Sequence, residues 1–189
     1  MPYIDFKNTY PGIRGALAFR PEVASSLGEL SDILLRGNSG LSRADRELIG
    51  MHVSKLNNCT YCMRSHAAIA CVYLDNDQQL INDIQQDYKT AAISDKLKAL
   101  LNIAGKVQQS GRAVTPADIK AARDLGASDL DIHDTVLIAA LFCLFNRYVD
   151  GLATTIPADE ESYKMRAMQV VENGYSGVTK SISKETESH

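Results

Sequence analysis

Residues 47–66 read ELIGMHVSKLNNCTYCMRSH. The stretch begins as a helix, with Leu48, Ile49, Met51, His52, Val53 and Leu56 recurring on one broad face. Asn57-Asn58 predicts its end, because Asn tolerates the left-handed conformation found at helix C-termini. A second helix is predicted to start near Cys59 and to run to Leu74. Its later part, AAIACVYL, is apolar almost all round, the mark of a buried central helix. On that helix Cys59, Cys62 and His66 fall within about 60° of one another. Cys62 and His66, four residues apart, can touch. The two cysteines are close enough to form a disulfide. Their position at a helix N-terminus favours the thiolate. Glu47 lies one helix earlier, beside Leu48 and Met51, and the sharp turn can fold it back onto the Cys/His face. A Glu on so apolar a face needs a partner, and desolvation suits it to general-base work. A nucleophilic thiol, a base for its proton and a second thiol to trap the oxidised first one form a complete redox set.

Outward from this core the pattern stays helical. Pro21 opens a helix carrying Val23, Leu27, Leu30, Ile33 and Leu34, and Gly37 stops it. Ser42 with Asp45 forms a start signal for the Glu47 helix. A weaker helix is expected at 78–88. Ser94 caps another, Thr115-Pro116-Ala117-Asp118 opens the next, and Ser128 with Asp131 opens a long one through Val149. A final helix is predicted over 159–172. Period-two strand patterns are scarce, so the fold class is all-α, a helical bundle. A unit of cap, helix, turn and apolar helix occurs at 42–74 and again at 115–149, as in a duplicated helical unit. Residues 1–179 are read as one helical domain with its core motif at 41–75, and 180–189 as a polar, frayed tail.

Composition agrees with a folded globular chain. The 189 residues are 45% hydrophobic and 23% charged, with no Trp. At this length a sizeable core forms without disulfide staples. The net charge is −3, from 20 basic and 23 acidic residues, and gives no reason to expect nucleic acid or an anionic membrane as partner. The run VLIAALFCLF (136–145) is too short to span a bilayer and reads as a core helix. Met1–Asp5 has neither the basic nor the apolar stretch of a signal peptide, so the expected compartment is the cytoplasm. Four cysteines there do not form a structural framework.

Together these residues resemble a known family. A Glu, eleven residues, then C-x-x-C-x-x-x-H is similar to the motif of the alkyl hydroperoxidase D branch of the carboxymuconolactone decarboxylase-like superfamily. PEVASSLGELSDILLRGNSGLSRADRELIG (21–50) resembles the two helices before the motif in its "peroxidase-related" members. FNRYVDGLA (145–153) is similar to their FNR-x-x-DG segment. The resemblance implies an all-helical bundle of the alkyl hydroperoxidase D-like type that assembles into homo-oligomers (dimers, trimers or hexamers). It implies a thiol-dependent peroxidase or oxidoreductase in which Cys62 attacks the peroxide O–O bond, Cys59 resolves the product as a disulfide, and Glu47 and His66 relay protons. The substrate is then a hydroperoxide. No cofactor or metal is bound, and an external dithiol is the reductant. One position departs: the family carries a His before the second Cys, and this chain has Tyr61.

Other readings remain open. The pair could serve a thiol–disulfide exchanger or redox sensor whose oxidant is not a peroxide. The chain could also be a decarboxylase-like helical oligomer whose cysteines are not catalytic. Cys59, Cys62 and His66 supply three zinc ligands, but no second ligand pair follows downstream. Cys71 and Cys143 are isolated in apolar stretches. Tyr61 and His52 are expected to line the pocket, with a core histidine the alternative for His52. His133 is expected to face solvent. Asn146, Arg147 and Asp150 are read as a polar helix end or as an Arg147–Asp150 pair.

Overall fold

The computed structural model describes residues 1–187, with side chains described to Thr179. The chain is 73% helical, and among the described residues there are nine α-helices and no strand. They are α1 (Ile13–Phe19), α2 (Pro21–Arg36), α3 (Arg43–Leu56), α4 (Thr60–Tyr73) and α5 (Gln78–Asp87). There follow α6 (Asp95–Gln109), α7 (Pro116–Asp124), α8 (Asp129–Gly151) and α9 (Glu160–Glu187), with a single 3-10 turn at Gly111–Ala113 between α6 and α7.

The predicted caps are the real ones. Ser42, Thr115 and Ser128 each accept from the backbone N–H three residues on, and Asp45, Asp118 and Asp131 reach back to the cap N–H. Each such cap is worth about 1 kcal/mol. Asn58 ends the α3–α4 turn in the left-handed conformation, at φ 58°. Cap, helix, turn and helix therefore occur twice, as α3–α4 and α7–α8, but with unequal lengths: 14 and 14 residues against 9 and 23.

The central helices α3 and α4 form the most extensive pair. Leu48, Ile49, Met51 and Val53 of α3 pack with Leu100 and Leu101 of α6 and Phe142 of α8 in the main core. The Arg46 guanidinium is buried and donates to the carbonyls of Leu34, Gly37 and Ser42, which ties the end of α2 to the start of α3. Two smaller clusters flank the core. One joins Ile69 to Val170 and Val178, and the other joins Cys59, Tyr61 and Cys62 to Val149 and Tyr163.

Helix α8 is long and apolar enough, by length and composition, to cross a membrane. Half of its most apolar window is nevertheless buried in the bundle. Asp131, Thr135 and Asn146 are buried on its inner face, as in a core helix.

Two features differ from the sequence-based expectation. Helix α1 is unforeseen, because its seven residues begin at a left-handed glycine, Gly12, rather than at a side-chain cap. The last helix does not end at 172. Gly174, at φ 73° and ψ 176°, interrupts it, and helix resumes to Glu187 through the segment expected to fray. Residues 188–189 of that expected tail lie outside the described residues.

Candidate active site

Three elements meet at Glu47. Its carboxylate is fully buried on α3. One oxygen, Oε2, lies 2.6 Å from Nδ1 of His66 on α4. The other, Oε1, accepts a 2.7 Å hydrogen bond from the Tyr175 hydroxyl on α9. Tyr175 also stacks on the His66 ring, with centroids 6.2 Å apart. Phe142 meets that ring edge-on at 4.4 Å. A buried carboxylate needs partners for both oxygens, and here both have them. Burial and the adjacent Glu47 push the Tyr175 hydroxyl well above the ordinary tyrosine range, so it remains a donor.

Local backbone features make this meeting possible. Asp32 on α2 accepts from the backbone N–H groups of Tyr175 (2.7 Å) and Ser176 (2.9 Å), capping the helix that restarts after Gly174. Arg36, one turn on, donates to the carbonyls of Val170 and Val171 and to the Tyr73 hydroxyl. Together they hold both sides of the kink and aim Tyr175 inward. Gly50 performs a similar service on α3, since a Cβ there would lie 2.2 Å from the Phe142 ring.

Cys59 is the N-cap of α4 and Cys62 lies in its first turn. The two are 3.4 Å apart and both are free thiols. Both are buried, but only Cys62 lines a small cavity of about 60 Å³, together with Tyr61, Ser65, His66 and Tyr175. That volume admits a few water molecules or the reacting end of a small substrate. Asn146 of α8 donates to Ser54 at 3.0 Å and accepts from Asn57 at 2.8 Å, which anchors the turn that presents the two sulfurs.

The sequence-based residues fare differently. Glu47, His66 and Cys62 converge, with Cys59 behind Cys62. Tyr61 lines the cavity as expected, with its ring against the bare Cα of Gly12. His52 does not line it: the ring packs edge-on against Tyr88 at 4.9 Å, facing α6. Burial holds its pKa down at about 4. His133 is exposed, as expected. Arg147 donates to the Cys143 carbonyl of its own helix rather than pairing with Asp150. The neighbouring Cys59 sulfur and then burial push the Cys62 thiol up, a direction opposite to the one expected at a helix N-terminus, and the Asn146 amide opposes them. No hydrogen bond joins His66 to either sulfur among the described residues; its Nδ1 is taken by Glu47. Among these residues no group of three or more His, Cys, Asp or Glu side chains is arranged to hold a metal ion.

Tyr175 was not foreseen, and neither were Asn146 as an anchor of the turn or Arg166 as a cavity residue. The Asn173-Gly174 step reads as a helix stop and conceals the restart that delivers Tyr175.

Comparison with known proteins places this arrangement. Residues 21–82, which hold Glu47, both cysteines and His66, match the carboxymuconolactone decarboxylase family. No curated protein shows a significant match. Two solved structures are similar over most of their length. An uncharacterised peroxidase-related protein from Silicibacter sp. TM1040 is 28% identical, over 82% of this chain and 78% of that one, with a TM-score of 0.73. An uncharacterised peroxidase-related protein from Ralstonia eutropha JMP134, described as an alkylhydroperoxidase AhpD core, is also 28% identical, over 83% and 80%, with a TM-score of 0.74. A protein of unknown function from Agrobacterium tumefaciens shares the fold at 19% identity, over 76% and 97%, with a TM-score of 0.64. By the match at its motif and the fold shared along most of its length, the chain is similar to the alkyl hydroperoxidase D-like, carboxymuconolactone decarboxylase-like superfamily.

Proposed function

We propose that the protein is a thiol-dependent peroxidase that reduces organic hydroperoxides with its CxxC pair. The observation that carries this reading is that Cys62 and His66 line one cavity, while Glu47 and Tyr175 hold the imidazole from behind. A carboxylate accepts hydrogen bonds, so His66 carries its proton on Nδ1 and keeps a lone pair on Nε2. That nitrogen, directly or through a water, takes the Cys62 proton as the sulfur attacks. The thiol and the hydroperoxide give a Cys62 sulfenic acid and an alcohol. The Cys59 thiol then displaces water from the sulfenic acid, forming the disulfide. An external dithiol reduces the disulfide and returns both thiols. Cys62 is the attacking sulfur because it has access to the cavity, and Cys59, 3.4 Å behind it, is poised to resolve.

A second reading is favoured by one observation. The two free thiols stand 3.4 Å apart, which suits a pair that cycles between dithiol and disulfide whatever its oxidant, a protein or small disulfide included. Mass spectrometry separates the two. Reduced protein is treated with equimolar cumene hydroperoxide, with Cys59→Ser run beside it. A peroxidase forms the Cys59–Cys62 disulfide, and the variant traps a sulfenic acid on Cys62. Persistence of both thiols at peroxide excess would exclude the peroxidase and favour exchange.

We further propose that the chain works in the cytoplasm as a homo-oligomer. Leu130, Leu137 and Leu144 support the assembly: all three are exposed on α8, and their seven-residue spacing aligns them on one face.

A further inference from the structure

The half-buried and buried arginines of this fold are matched with care, and two are not. Arg36 donates to two carbonyls and a tyrosine hydroxyl, and Arg46 to three carbonyls. Arg64 pairs with Glu160 at 2.6 Å and donates to the Pro157 carbonyl. In contrast, among the described residues Nε of Arg14, whose guanidinium lies 4.7 Å over the Tyr10 ring, and Nη1 of Arg166 are buried with no acceptor, and so is the hydroxyl of Ser65, a residue only 8% exposed. All three line a second cavity of about 250 Å³, which shares Tyr61, Ser65 and Arg166 with the Cys62 cavity.

A guanidinium does not shed its proton to escape burial. Desolvation lowers the Arg166 pKa only to about 10, so the group stays charged at neutral pH. The groups that act on it are Tyr61, Arg14 and Tyr175, and no carboxylate is among them. Two cations thus face one cavity, each raising the cost of the other, with a neutral hydroxyl donor between them and the reactive sulfur. The missing acceptor is an anion. Tyr163 and Met165 give the cavity an apolar wall, which suits an organic anion better than a fully hydrated inorganic one.

We infer that Arg14, Arg166 and Ser65 form a carboxylate-binding subsite beside Cys62. The substrate is then a small hydroperoxide that carries a carboxylate a few bonds from its O–O group. This identity of the substrate rests on the peroxidase reading, whereas the anion site does not. The guanidinium forks and the serine hydroxyl take the carboxylate oxygens, and the peroxide end extends past Tyr61 and Ser65 into the Cys62 cavity.

Two measurements test the inference separately. Benzoate is titrated into the reduced wild-type protein by calorimetry. Saturable binding is expected, weakened about tenfold or more in Arg14→Met and in Arg166→Lys, as loss of a charge-assisted hydrogen bond implies. The exposed Arg147→Met should bind as the wild type does. Arg166→Lys keeps the charge and removes the fork, and circular dichroism confirms that each variant is folded. Absent benzoate binding, binding indifferent to both arginines, or tighter binding of inorganic phosphate would each overturn the carboxylate site. The second measurement compares oxidation of Cys62 by para-carboxy cumene hydroperoxide and by its methyl ester. The acid should react about tenfold faster, and Arg14→Met should erase the difference. Equal rates in the wild type would overturn the substrate assignment while leaving the peroxidase standing. If neither compound oxidises Cys62 and benzoate still binds through the arginines, the proposed function fails and the anion site survives.

Discussion

His52 shows what one residue contributes when it is not at the site. It is 7% exposed, packs against Tyr88, and has its pKa lowered to about 4 by burial, with a lesser push from Lys55. In the unfolded chain the ordinary value is 6.5. Above that value both states hold the neutral ring, and the residue imposes no pH dependence. As pH falls from 6.5 towards 4, the unfolded state takes up a proton that the folded state refuses, so stability drops. The loss approaches its full size as pH falls through the folded-state value, and it amounts to about 3 kcal/mol at most. Urea unfolding at pH 7.5 and again near pH 4.5 should therefore show a decline in the wild type. In His52→Gln the part of the decline that belongs to this residue should be gone. Equal slopes in the two proteins would mean that His52 is hydrated and titrates freely. The same burial explains why the residue was open to two readings beforehand. Only the orientation of α3 decides whether position 52 faces α6 or the cavity, and that orientation is set by contacts far away in sequence.

At the scale of elements, the kink in α9 is the feature on which the site depends. Gly174 adopts φ 73°, and a Cβ there would also lie 2.8 Å from the Asp32 carboxylate. Gly174→Ala therefore meets two penalties, a left-handed backbone that costs an L-residue about 1–2 kcal/mol and a push on the group that caps the restarted helix. Destabilisation of about 2 kcal/mol or more is expected by urea unfolding. Oxidation of Cys62 should slow as well, since Tyr175 loses its hold on Glu47. Gly111→Ala is the control: nothing lies within 4 Å of where its Cβ would stand and its φ is not left-handed, so it should change little. If Gly174→Ala matched that control in stability, the kink would be a passive bend. The stop signal at Asn173-Gly174 was legible, and it was physically right, because the helix does break there. The restart was not legible, because its cap is Asp32, more than a hundred residues away, rather than a neighbour in sequence. The legible half of the site follows the same rule. Glu47, Cys59, Cys62 and His66 lie on adjacent helices joined by one turn, so spacing alone brings them together. Tyr175, Arg14 and Arg166 come from the two ends of the chain, where only the packed bundle makes them neighbours.

The whole molecule poses the question of assembly. Helix α8 has two jobs. Its inner face supplies Phe142 to the His66 ring and Asn146 to the cysteine-bearing turn. Its outer face leaves Leu130, Leu137 and Leu144 exposed at 51%, 38% and 48%. Removing each from water would contribute roughly 1–2 kcal/mol, and a stripe repeated on a second copy offers a self-complementary seam. The wild type should therefore elute as an oligomer at micromolar concentration in size-exclusion chromatography with light scattering. Leu137→Glu, which places a charge at the centre of the stripe and touches no core position, should shift it to the monomer with helicity unchanged. Because the inner face of α8 braces both His66 and the Asn57-Asn58 turn, the monomer should also expose the cysteine pair to faster alkylation by iodoacetamide. A wild type that is already monomeric would dismiss the seam. An oligomer that survives Leu137→Glu would move the interface to another face, with α8 left as a core helix whose outer leucines are merely exposed.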